Sequence, residues 1–88
     1  MSEKATVIEK GYVKYPVSDG DVEEMRNRFT YHPPKEDQPG RYVLIRDQAR
    51  ELARSILELT PYSREQALAL TRLEESVFYA NAAIARRE

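Results

Sequence analysis

SREQALALTRLEESVFYANAAIARRE, residues 63–88, decides the fold. Ala67, Leu70, Leu73, Val77, Ala80 and Ile84 recur at steps of three and four, which draws one apolar stripe down a helix. Leu68, Phe78 and Ala82 add apolar surface outside that stripe. A helix with apolar surface on two faces must be covered on two faces. The other elements of an 88-residue chain are too few to do this, so further copies of the chain are expected to.

Working back toward the N-terminus, a second long helix is predicted from about Pro39 or Arg41 to Leu59. Its seam is Tyr42, Ile45, Ala49, Leu52, Ile56 and Leu59, widened by Ala53 and Leu57. Thr60-Pro61-Tyr62-Ser63 breaks it. Ser63 followed by Gln66 fits a capping box, and Thr60 before Pro61 is the competing cap. Two seamed helices joined so closely predict an antiparallel αα-hairpin.

Ahead of it, FTYHPPK (residues 29–35) is excluded from helix by its prolines. A short helix is predicted at 21–28, with Glu23 and Glu24 in its first turn after the turn chemistry of Ser18-Asp19-Gly20-Asp21. Residues 1–17 carry Val, Ile and Tyr with partial alternation and read as an extended arm or short strand. The expected class is all-α: a two-helix hairpin preceded by a short helix and an extended arm, assembling into a helical oligomer. The expected division is an arm over 1–20 and a hairpin domain over 21–88.

Composition narrows the function. Net charge is −1, which gives no overall field for DNA or an anionic membrane, and no apolar run is long enough to span one. No signal-peptide pattern opens the sequence, so the cytoplasm is the expected location. There is no cysteine, and the single histidine, His32, lacks the imidazole or thiolate partners of a metal site. Glu74 and Glu75 are adjacent and point apart, and neither a Ser-His-Asp set nor a glycine-rich phosphate loop is present. A binding protein without cofactor or metal is expected, not an enzyme.

From Arg41 onward all eight basic residues are arginine, whose planar fork matches phosphate or carboxylate oxygens; any one of them equally suits an ordinary paired helix face. In the 29–35 loop, Tyr31 beside His32 and Lys35 suits stacking a base and touching its phosphate, unless its aromatic rings merely anchor the loop. Ser63 and Arg64 stand where the free N–H groups of a helix start favour an anion; the plainer alternative is an ordinary cap. Arg46, Arg50 and Arg54 fall on one helix face, with Asp47, Glu51 and Glu58 near enough to neutralise them. Thr71 and Asn81 are polar groups in an otherwise apolar helix and need partners if buried.

Taken together, FTYHPP at 29–34, Arg41-Tyr42 with Ile45-Arg46, Ser63-Arg64-Glu65, Leu73-Glu74-Glu75 and ANAAIAR at 80–86 resemble the phage hairpin-domain sponges. These are the anti-CBASS and anti-Thoeris proteins that sequester nucleotide second messengers of bacterial immunity. The resemblance runs from about Asn27 to Glu88. It implies compact helical oligomers, commonly hexamers, acting in the host bacterial cytoplasm. Their ligands, held at subunit interfaces without cleavage, are cyclic dinucleotides, cyclic trinucleotides or cyclic ADP-ribose isomers. It implies Tyr31 for base stacking and Lys35, Arg41 and Arg46 for phosphates. A second ligand site is implied at Ser63, Arg64 and Thr71. The rival reading is a helical interaction module that docks on a host protein.

Overall fold

The computed structural model describes residues 7–9, by their backbone, and residues 11–88. The chain divides after Tyr31 into two compact units. In the first, β1 (Val7–Glu9) and β2 (Tyr12–Lys14) form an antiparallel pair in which Ile8 lies opposite Val13. Gly11 sits in the connection at φ +85, a left-handed conformation that glycine adopts without steric cost. The expected arm is therefore a small β-hairpin over these residues; the rest of it, residues 1–6 and 10, lies outside the described residues.

Helix α1 (Asp19–Arg28) starts two residues earlier than the sequence suggests. The Ser18 hydroxyl accepts the Asp21 N–H at 3.1 Å, which makes Ser18 the cap. Asp19 and Asp21, not Glu23 and Glu24, thus occupy the acidic first turn. Glu24 instead pairs with Arg28 one turn on, at 2.8 Å. No residue of α1 is buried.

The second unit is the expected hairpin of α2 (Gln38–Leu59) and α3 (Arg64–Arg87). Pro39 lies in the first turn of α2, where its missing N–H removes no helical bond. Thr60 ends α2, its N–H and hydroxyl both donating to Ile56 O at 3.2 and 2.6 Å. Ser63 starts α3, accepting the Gln66 N–H at 3.1 Å. The choice between the two caps falls to Ser63. Gln66 does not return a bond to Ser63; its amide donates to Thr60 O and Oγ1 at 3.0 and 3.1 Å, tying the end of one helix to the start of the next. Ser63→Ala is expected to cost about 1 kcal/mol of stability, the usual worth of such a cap, read as a lower denaturant midpoint at fixed protein concentration.

Tyr42, Ile45, Ala49, Ala53 and Ile56 of α2 face the half-buried side of the hairpin with Leu70, Leu73, Val77, Ala80 and Ile84 of α3. Three positions of α2 depart from the expected seam: Leu52 and Leu57 are half exposed and Leu59 is 82% exposed. Ala67 of α3 is exposed as well. A heptad spacing drifts around a straight helix, so Ala53 takes the inward place that Leu52 was expected to hold. Among the described residues no apolar side chain is fully buried; the two buried residues are both glutamines, Gln38 and Gln66. Burying a leucine or valine completely contributes about 1.5–3 kcal/mol, and half-burial contributes only part of that.

Candidate functional site

One side of the α2–α3 hairpin opens as a groove of about 690 Å³. Small side chains make room for it: Ala49 and Ala53 on α2 stand across from Leu70, Leu73 and Val77 on α3. Its polar groups are Arg46 and Arg50 from α2 and Thr71, Glu74 and Asn81 from α3, and the ring of Phe78 lines it at 61% exposure. Arg46 and Arg50 are one turn apart and border the same space, bringing two guanidinium groups to its rim. Arg54, third in that row, lies outside the groove and pairs with Glu58 at 3.1 Å. Charge compensation along the row, expected from Asp47, Glu51 and Glu58, is thus seen at Arg54. Asn81 Oδ1 is buried without a hydrogen-bond partner among the described residues, an acceptor that a ligand or a second chain can satisfy.

A second polar cluster closes the open end of the hairpin. Arg41 forks onto the Glu88 carboxylate with bonds of 2.5 and 2.8 Å, and its Nη2 also meets Asp37 at 3.2 Å. Gln38 Nε2 donates to Glu88 Oε1 at 3.1 Å, and Lys35 Nζ donates to the Glu88 carbonyl at 3.2 Å. The Arg41 bonds, then the Gln38 bond, hold the Glu88 carboxyl down at about 2. The Arg41 guanidinium is raised in return, first by its bond to Glu88. The carboxylate therefore stays ionised throughout the neutral range.

The sequence-predicted residues fall into separate places. Arg46 and Thr71 meet in the groove, so Thr71 belongs with Arg46 and not with the start of α3. Lys35 and Arg41 are joined through Glu88. Ser63 is engaged on both sides, accepting from Gln66 and donating to Pro61 O at 3.0 Å, while Arg64 is exposed beside it. Tyr31 ends the first unit at 79% exposure, and His32 opens the second, half-buried. Arg50 was legible only as a neighbour of Arg46 in a four-residue row. Gln38 and Glu88 gave no signal, because their bond links residues fifty positions apart.

The family profile of the Acb2/Tad1 hairpin domain matches residues 20–85, from the first turn of α1 into the last turn of α3. The chain belongs to the Acb2/Tad1 hairpin family. This is the family of anti-CBASS and anti-Thoeris sponges, whose general activity is the sequestration of cyclic nucleotides. No curated protein and no solved structure matches the chain. The matched span contains α2, α3 up to its last turn, the groove between them and Lys35 and Arg41, whereas the β-hairpin lies outside it. No described helix of this Acb2/Tad1 hairpin is long and apolar enough to cross a membrane.

Proposed function

We propose that this protein is a non-catalytic, homo-oligomeric sponge for cyclic oligonucleotide second messengers, made by a phage to block CBASS- or Thoeris-type defence in the host bacterial cytoplasm. The observation that carries the reading is the family match, over a hairpin whose groove holds two arginines above apolar walls. Cyclic dinucleotides are the first ligand class, with cyclic trinucleotides and cyclic ADP-ribose isomers as further members. Such ligands are compact anions with flat bases. A groove combining guanidinium forks, an exposed phenyl ring and apolar surface supplies the matching contacts. The assembly is a hexamer in this reading, each copy covering apolar surface that the hairpin leaves open.

Tyr31 stacks on a base, beside His32; Lys35, Arg41 and Arg46 hold phosphates, with Thr71 in the groove beside Arg46; Ser63 and Arg64 belong to a second ligand site. The high exposure of Tyr31 supports its role, since a largely uncovered ring is available to a ligand. Tyr31→Ala is expected to weaken cyclic-nucleotide binding by about 1–3 kcal/mol and to leave the assembly intact. Titration calorimetry with the folded variant checks this, and full affinity would move stacking to another ring.

The deciding experiment is incubation of the purified protein with a panel of cyclic nucleotides, removal of free ligand, heat denaturation and chromatography. An intact cyclic nucleotide should be released. Recovery of cleaved product would make the protein a hydrolase, and recovery of no nucleotide from any panel member would end the sponge reading.

A further inference from the structure

Lys35, Gln38 and Arg41 converge on Glu88, Gln38 and Arg41 at its side-chain carboxylate and Lys35 at its main-chain carbonyl, and each supplies a donor suited to a phosphate as well. The Arg41 fork meets both Glu88 oxygens, a two-pronged geometry common to carboxylate and phosphate recognition. Gln38 is 2% exposed, and its Oε1 accepts the Lys35 N–H at 3.1 Å. That bond fixes the amide with its NH₂ toward Glu88 Oε1 and Ile84 O, at 3.1 and 3.3 Å. Arg41 Nε is buried with no partner among the described residues, so only the Nη atoms of its fork are engaged. A cavity of about 90 Å³ opens beside Glu88, lined by Lys35, Glu36, Asp37 and Gln38. Ion pairs between partly exposed groups hold weakly against water, so an incoming anion can replace the resident one.

We propose that Lys35, Gln38 and Arg41 form an anion site for a phosphate group of the bound nucleotide, and that the Glu88 carboxylate is its resident competitor, displaced when ligand binds. The proposal rests on the reading of Lys35 and Arg41 as phosphate contacts. It assigns two further residues: Gln38 as a buried donor and Glu88 as the group that sets affinity. Only ligands that present a phosphate able to outcompete an internal carboxylate enter, which discriminates against uncharged nucleosides. Asp37 stays on Arg41 Nη2 and keeps the site from collecting anions indiscriminately.

Inorganic pyrophosphate is the probe, because it tests the site without any cyclic nucleotide. By titration calorimetry, Glu88→Gln protein should bind pyrophosphate at least tenfold more tightly than the wild type. Adding Arg41→Ala should remove that gain. Equal affinities for wild type and Glu88→Gln, or a gain that survives loss of Arg41, overturn the proposal. Should Glu88→Gln loosen the hairpin, the wild type still answers: its Glu88 side-chain carboxyl carbon, labelled with carbon-13, should shift as pyrophosphate saturates. A resonance that stays fixed while pyrophosphate binds overturns displacement. Failure here leaves nucleotide release by the wild-type protein untouched, so the two readings fall separately.

Discussion

Phe78→Asp and Val77→Asp should each reduce the light-scattering mass of the protein, at micromolar concentration, toward the 10.2 kDa of one chain. Phe78 is 61% exposed in the single hairpin, so its change leaves an isolated copy little disturbed, whereas Val77 is half-buried against α2 and its change also weakens the hairpin's own packing. An interface between copies turns both into buried positions. An unpaired carboxylate there costs about 3–5 kcal/mol, or roughly two to three and a half orders of magnitude in the association constant. Helical circular dichroism at high protein concentration separates dissociation from misfolding. An unchanged mass in both variants would mean that neither side chain lies between copies, and the interfacial pocket would lose its basis.

Arg46→Ala and Arg64→Ala should remove different ligand classes. Arg46 lines the groove with Arg50 and Thr71, while Arg64 stands exposed at the first position of α3, outside that lining. A charge-assisted contact to phosphate contributes about 1.5–3 kcal/mol, so one alanine should lower affinity at least tenfold. Calorimetry with a cyclic dinucleotide and a cyclic trinucleotide on both variants reads the result. Arg46→Ala is expected to affect one class and spare the other, and Arg64→Ala to do the reverse. Equal weakening of one ligand by both would indicate a composite site spanning copies; no effect from either would return both arginines to solvated helix positions.

The hairpin was legible in the sequence because local chemistry writes helix ends plainly. Thr60-Pro61 and Ser63 with Gln66 bracket a connection of a few residues; α2 ends at its expected residue and starts one residue before Pro39 and three before Arg41, and α3 lies within one residue of its expected bounds. The start of α1 was misread because two acid pairs compete for its first turn, and the Ser18 hydroxyl decides between them. Inward-facing positions were less legible. Spacing names a stripe, but the partner helix selects its members, and it chose Ala53 over Leu52. The candidate site was legible as a set of residue types and not as a grouping. Arg46 and Thr71 come from different helices, and only the antiparallel packing brings them to one groove. The grip of Arg41 on Glu88 spans 47 positions, and no periodicity reports such a pairing.

The two buried glutamines have a consequence for how the protein responds to its own abundance. Each fastens one end of the hairpin: Gln66 at the closed turn and Gln38 at the open end. Hydrogen bonds of this kind fix geometry strongly but add only about 1 kcal/mol each to stability. In the proposed assembly, with shape set by polar fasteners and apolar cover supplied by neighbouring copies, folding strength would become a function of dose. A sparse population would be marginal and open to host proteases, while a dense one would be robust and competent to bind. For a sponge, whose effect depends on outnumbering its ligand, the same threshold would govern survival of the protein and the point at which signalling is quenched.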